Sequence, residues 1–305
     1  MKLLCVAAVV ASSAAFAQQQ DFSKVEIKAT QVSGSVWMLQ GSGGNIAVSA
    51  GEDGLVMVDA QFAPLVPKIK AALAKISQKP LRFLLNTHWH FDHVGGNAGV
   101  ASGAPILAHE NVRRRMLAGA QIFDVKIEPA DPRALPALTY QREITVWLNG
   151  EPVRALHVPP GHTDGDTVVF FTRSNVVHMG DDFVTYGFPF VDLESGGSVR
   201  GMIAAIDELL PQIPTDAKII PGHGPVSTVA DLKKFRNRLD EIVALVARGL
   251  KSGKTVEQMQ KEKLLAPYAD WEGGFFKADQ FIAVVARDLQ QHPTPAAPSG
   301  SAAKK

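Results

Sequence analysis

Thr87-His88-Trp89-His90-Phe91-Asp92-His93-Val94-Gly95-Gly96 follows directly on Leu81–Leu85, an apolar run of the kind that forms a buried strand. His88, His90, Asp92 and His93 put four metal-capable groups into six residues. If the chain stays extended as far as His90, alternate side chains share one face. A turn near Asp92 then brings Asp92 and His93 back towards a second position. Neutral imidazoles and a carboxylate without thiolate suit zinc, and Mn, Fe or Co fit the same donors. The bland alternative is a solvated histidine-rich loop, and two further segments weigh against it.

Downstream, Gly161-His162-Thr163-Asp164-Gly165-Asp166 follows a strand expected over 153–158, and Pro221-Gly222-His223-Gly224 follows one at Lys218–Ile220. Both set a histidine in a tight glycine turn past a strand end, where loops carry function on a rigid scaffold. Between them an apolar run over 176–179 ends in Gly180-Asp181-Asp182, which offers a carboxylate at the same edge. Four strand-end segments thus supply seven nitrogen and oxygen donors: His88, His90, Asp92, His93, His162, Asp181 and His223.

Upstream, short β-rich runs at 25–29, 36–39, 45–48 and 55–58 alternate with glycine-rich turns such as Gly41-Ser42-Gly43-Gly44, a meander signature. Residues 63–76 have helical spacing, with Leu65, Ile69, Leu73 and Ile76 on one face. A strand at 105–108 and a helix at 110–117 come next, and the proline- and alanine-rich stretch 121–139 reads as an irregular loop. The second half repeats the style. Strands are expected at 144–148, 153–158, 167–172, 176–179 and Lys218–Ile220, with helices from Ser198 to about 210 and over 229–250, 256–263 and 278–290. Strands in two groups with flanking helices point to two sheets packed together and covered by helices.

The ends and the composition bound the rest. Among 305 residues there are 31 Lys+Arg, 30 Asp+Glu and one cysteine. Cys5 lies in MKLLCVAAVVASSAAFA, which reads as a secretory signal: Lys2, an apolar stretch to about Ala11, then Ala15-Phe16-Ala17 with Gln18 as the new start. Its apolar run is far short of the roughly 20 residues needed to span a bilayer. Removing residues 1–17 takes away one lysine, no acid and the only cysteine, leaving an exported, thiol-free chain of zero formal charge. That excludes a disulfide scaffold and a multi-thiolate zinc site. It also removes any electrostatic reason to expect nucleic acid as partner. No other stretch approaches membrane length, so residues 18–291 are expected to form a single soluble domain in the periplasm or outside the cell, followed by a disordered tail at 292–305.

In order and spacing, THWHFDHVGG, GHTDGD, GD and PGHG resemble the metallo-β-lactamase superfamily over roughly residues 36–224. The resemblance implies an α/β (α+β) fold, a four-layer αββα sandwich of two mixed β-sheets. It also implies that His88, His90 and His162 hold one zinc, that Asp92, His93 and His223 hold a second, and that Asp181 bridges them. His90 argues against the flavodiiron branch, which places a carboxylate there. Two cations about 3.5–4 Å apart produce a bridging hydroxide at neutral pH. Asp92 would orient that hydroxide as well as ligate, and so count as catalytic.

Asp59 matches an early acidic position of the superfamily and is expected to orient a ligand histidine; the alternative is a cap for the next helix. Thr163 reads as a support for His162 or as a turn residue. Tyr186, Phe188 and Phe190 line a substrate pocket or pack between loops. His109, His157 and His178 read as structural, and Arg113-Arg114-Arg115 as a solvated helix face. Asp181 stands where cysteine-bearing lactamases use a thiolate, as in glyoxalase II, lactonases and phosphodiesterases. No basic glutathione-binding signature is evident after Gly224. The expectation is a secreted di-zinc metallo-hydrolase opening a carboxylic ester, thioester, lactone or β-lactam of a small molecule, with the β-lactam first to test. A phosphodiesterase of the same fold and a non-catalytic zinc-binding module are the alternatives.

Overall fold

The structure, a computed structural model, describes residues 21–122 and 125–292. The expected signal at 1–17 and the tail beyond His292 lie outside the described residues. The strands are β1 (Lys28–Ser33), β2 (Val36–Gln40), β3 (Ile46–Gly51), β4 (Gly54–Val58), β5 (Leu81–Leu85), β6 (Ile106–His109), β7 (Ala120–Ile122), β8 (Val125–Ile127) and β9 (Leu138–Tyr140). There follow β10 (Glu143–Leu148), β11 (Glu151–His157), β12 (Thr167–Phe171), β13 (Val176–His178), β14 (Lys218–Ile220) and β15 (Ser227–Thr228). One sheet runs β1-β2-β3-β4-β5-β6-β9 and the other β10-β11-β12-β13-β14-β15, while β7 and β8 form a separate hairpin. Both large sheets are mixed: β4, β5, β6 and β9 pair in parallel, as do β13 and β14, and the remaining pairs are antiparallel.

The helices are α1 (Val66–Ile76), α2 (Phe91–Val94), α3 (Asn97–Ala101), α4 (Glu110–Ala118), α5 (Val199–Leu209), α6 (Val229–Lys251), α7 (Val256–Lys261) and α8 (Ala278–Gln291). None of them is long and apolar enough to cross a membrane. The central strands read as unbroken apolar runs because both of their faces are buried. In β4, Val56 and Val58 face the second sheet while Leu55 and Met57 face α1 and α3. In β12, Val169 and Phe171 face the first sheet, while Val168 and Phe170 join the layer of α5, α6 and α8. The result is the expected four-layer order of helices, sheet, sheet, helices. Ser198 caps α5 through Gly201 N, and Thr228 with Asp231 forms a capping box that starts α6.

Two expectations are corrected. The first strand lies at Lys28–Ser33 rather than 25–29, and Val25 and Ile27 instead pack against the outer core of the first sheet. The stretch 121–139 is not wholly irregular. It contains most of the β7–β8 hairpin, a 3-10 turn at Pro132–Ala134, and the start of β9, which extends the first sheet by pairing with β6. Three-residue strands of half-exposed residues carry no pattern of their own; the neighbouring strand decides them.

The topology collects the loops. Segments leaving β4, β5, β11, β13 and β14 converge on one edge of the sandwich, where Gly222 N donates to Gly180 O at 2.7 Å and Asn45 N to Gly222 O at 2.7 Å.

Candidate metal centre

After β5 the chain bends at Thr87 and His88, is extended at His90 (φ −63°, ψ 143°) and then enters the single turn α2 without a side-chain cap. This turn sets His88 and His90 against one position and Asp92 and His93 against the next. Donor atoms of His88, His90 and His162 lie within 4.8 Å of one another, as do those of His88, His93 and Asp181, and those of Asp92, His93 and His223. Shared members make the three groups one continuous cluster. His93 Nε2 lies 3.3 Å from His223 Nε2 and 3.1 Å from Asp181 Oδ1. Asp181 Oδ2 is 3.4 Å from His223 Nε2 and 3.7 Å from His162 Nε2, between the two ends of the cluster. Ligands at about 2.0–2.1 Å around a tetrahedral zinc stand roughly 3.3 Å apart.

The outward hydrogen bonds fix which imidazole nitrogens carry protons. His93 Nδ1 donates to Asp59 Oδ2 (2.8 Å), His162 Nδ1 to the Phe190 carbonyl (2.8 Å), and His90 Nε2 to Asp192 Oδ2 (3.0 Å). The Thr87 hydroxyl donates to Asp59 and so accepts from His88 Nδ1. His88, His90 and His162 therefore turn an unprotonated nitrogen inward, whereas, against burial, Asp181, Asp92 and Asp59 raise His93 well above its usual range. His90 Nδ1 and His162 Nε2 face each other at 2.7 Å, and His88 Nε2 is buried with no hydrogen-bond partner. Lone pairs so arranged repel unless a cation lies between them. The residues fit a divalent metal.

Titration points the same way. Burial and the neighbouring imidazoles hold His88 well below the usual range, and burial with His90 lowers His162 to about 4. Burial opposes ionisation of the acids, yet His93 and His223 hold Asp92 down at about 2, and His223, His93 and His162 hold Asp181 well below the carboxylate range. Against burial, Asp181 and Asp92 raise His223 to about 9. The acids thus favour bound positive charge in their midst, which a metal ion supplies.

Glycine permits the close packing. A Cβ at Gly222 would stand 1.9 Å from Asp181 Oδ1, and one at Gly44 2.1 Å from His93 Cε1. Asp59, fully buried, accepts from Thr87 N at 2.8 Å and from His93, and the following 3-10 turn and α1 have no side-chain cap, so it does not act as their N-cap. Thr163 touches no donor of the cluster directly. It holds Asp166, whose carboxylate accepts from Thr163 N at 2.8 Å and from its hydroxyl, within the turn that carries His162. Burial pushes Asp166 up to about 7, and burial with Asp166 raises Asp182 well above its usual range; Asp182 Oδ1 accepts from His162 N at 3.2 Å.

Asp166, Asp182, Asp192 and the Phe190 carbonyl escaped the reading of the sequence. Asp166 closes the GHTDGD segment and Asp182 neighbours Asp181, so local position could have flagged both. Asp192 has no such signal.

Asp92 and His223, with side chains 22% and 24% exposed, form the open side of an otherwise buried cluster. The Tyr186 ring lies 5.7 Å from that of His223, and the Phe190 ring stacks over His90 at 5.8 Å. Phe188 is corrected: it is fully buried, packed between Trp271 and Phe281 and bridged through its backbone to Phe276, so it belongs to the core and not to a pocket. His178 donates from Nε2 to the Asn45 carbonyl and accepts Gly180 N, and His109 and His157 stack on each other, all outside the cluster.

The profile of the metallo-beta-lactamase superfamily matches residues 30–248, and the chain belongs to that superfamily. It is similar to the probable hydroxyacylglutathione hydrolase of Schizosaccharomyces pombe, with 29% identity over 62% of this chain and 67% of that protein. The hydroxyacylglutathione hydrolase of a Polaromonas species is 28% identical over 52% of this chain, which spans about half (55%) of that relative. Among solved structures, a metallo-beta-lactamase from Pontibacter korlensis shares the fold, with a TM-score of 0.58 and 19% identity over 70% of this chain and 99% of that one. The chain is a metal-dependent hydrolase that acts on small molecules.

Proposed function

We propose that this chain is a di-zinc hydrolase of thioesters or carboxylic esters. The observation that carries the proposal is the pair of three-donor groups, His88/His90/His162 and Asp92/His93/His223, with Asp181 between them. Two zinc ions held there would supply Lewis acidity and lower the pKa of water to near neutrality. Asp92, at the open side, orients the attacking water and holds its proton at the carboxylate. Asp59 and Asp192 keep His93 and His90 in the tautomers that point a lone pair inward. Water adds to the acyl carbon, the C–S or C–O bond breaks, and the thiol or alcohol leaves with a proton. A thiol, with an ordinary pKa near 8.5, leaves readily without strong acid assistance, and the similarity to hydroxyacylglutathione hydrolases supports trying a thioester before a β-lactam. We also propose that residues 1–17 are removed on export; the intact mass of the secreted protein should place its start at Gln18.

The test combines metal analysis with a substrate panel: an S-acyl thioester, an aryl ester, a lactone, a chromogenic cephalosporin and a phosphodiester. The expected result is two zinc ions per chain, hydrolysis of thioester or ester, and a loss of at least about 100-fold in Asp181→Ala and His162→Ala. Cephalosporin turnover alone would replace the ester or thioester by a lactam amide, phosphodiester turnover alone would replace acyl by phosphoryl transfer, and a different resident metal would replace zinc. No turnover of any substrate at full metal occupancy would leave a metal-binding module.

A further inference from the structure

Resting on the di-zinc reading, we infer that Arg115 is a positioning residue for one of the two metal positions, the one formed by His88, His90 and His162. Arg115 lies on α4, in the Arg113-Arg114-Arg115 run whose sequence suggests a solvated face. The structure corrects that reading for Arg115. Its guanidinium grips Asp164 as a fork, Nε donating to Oδ1 at 2.7 Å and Nη2 to Oδ2 at 2.8 Å, with side chains only 24% and 23% exposed. Asp164 belongs to the turn that carries His162, and this turn is laced to the loop that orients His90. Asp164 N donates to Ser195 O at 2.9 Å, Asp192 N to His162 O at 3.0 Å, and Ser198 N to Gly161 O at 2.8 Å. In return the Phe190 carbonyl accepts from His162 Nδ1, and Asp192 Oδ2 accepts from His90 Nε2. Residues 161–166 and 190–198 form one block that aims two of the three donors of this position.

The block follows strands of the second sheet, whereas α4 follows β6 of the first, so the fork joins the two halves of the molecule beside the cluster. Helix α4 is a firm anchor, because Val112 and Met116 bury its inner face. A Cβ at Gly165 would stand 3.2 Å from Val112 N, so the turn rests directly on the helix. Asn111 adds a second tie, donating from Nδ2 to Asp164 O at 2.7 Å. A bidentate fork fixes the angle of a carboxylate as well as its distance, which a single-point contact does not. Asp92, His93 and His223 stand outside the block. The first two lie on α2, where Asp59 supports His93, and the third lies in the loop after β14. Loosening Arg115 therefore displaces one metal position and spares the other.

The test is zinc affinity of the full chain, measured by chelator competition. Arg115→Gln should weaken one of the two zinc-binding steps roughly 10-fold and leave the other within about two-fold. Two backgrounds assign the step: His223→Ala retains the first position, and His90→Ala retains the second. The loss should appear when Arg115→Gln is added to His223→Ala and not when it is added to His90→Ala. Removing a nearby cation would by charge alone tighten zinc, so a loss reports geometry. Asp164→Asn should reproduce the selective loss, and the double variant with Arg115→Gln should lose no more than either single one. Glutamine is a good helix former, so circular dichroism of the metal-free chains should be unchanged. Equal weakening of both steps, weakening confined to the His90→Ala background, or no weakening overturns the inference. A parent chain that binds no zinc overturns the metal reading and this inference with it. Selective zinc loss without turnover of any substrate keeps the role of Arg115 and overturns only the hydrolase.

Discussion

Asp59 holds its backbone at φ 64°, in the left-handed region that a non-glycine residue enters only where its surroundings compel it. The conformation turns one carboxylate towards Thr87 N, the Thr87 hydroxyl and His93 Nδ1 at once. Asn at this position has one oxygen where the acid has two, so Asp59→Asn cannot accept from all three. Chelator competition should show zinc bound roughly 10–100-fold more weakly, with the fold intact by circular dichroism. Unchanged zinc affinity would remove Asp59 from the support of His93. The readable and unreadable residues differ in one respect. His88, His90, Asp92 and His93 are neighbours in the chain, so their grouping is a local pattern. Asp192 supports His90 from 102 residues away, and no local pattern can announce such a partner.

At the scale of elements, β6 and β11 belong to different sheets, and their last residues meet: His109 and His157 stack with ring centroids 3.7 Å apart. Burial and His157 lower His109 to about 4, and burial lowers His157. The unfolded chain takes up these protons near pH 6.5, the folded one only near 4 in the case of His109. Stability is therefore complete above about pH 6.5 and declines as the pH falls towards 4. Melting temperatures measured from pH 7.5 to 4.5 should fall across that window; His109, whose Nδ1 accepts from Asn111 N at 3.3 Å, is the N-cap of α4, and His109→Asn, which keeps a capping side chain there, should flatten the fall. An equal fall in the variant would place the acid sensitivity elsewhere. The secondary structure itself was legible where burial on both faces left long apolar runs, as in β4 and β12. It was illegible at β9, whose three residues become a strand only by lying beside β6.

In the whole molecule the cluster is a clasp. The loop after β5 in the first sheet brings His88, His90, Asp92 and His93, while loops after β11, β13 and β14 in the second bring His162, Asp181 and His223. A metal held by donors from both sheets binds the folded state far better than the unfolded one. Bound at 100 times its dissociation constant, one such ion adds about 2.7 kcal/mol, or roughly 5–10 °C of melting temperature in a domain of this size. Thermal scans before and after chelation, with zinc added back, should show that drop and its recovery; superimposable scans would refute the clasp.

By itself the sequence determined the donor chemistry, the strand ends that carry it, and the superfamily, because those are properties of contiguous residues. With no cysteine after residue 5, thiolate was excluded before any coordinate was known. Tertiary structure alone decided the proton positions on the histidines, the Asp192 and Asp166–Asp182 supports, the burial of Phe188, and the tie between Arg115 and Asp164. Each of these depends on which distant segment lies opposite, and only the packing of two sheets and their helices chooses that neighbour.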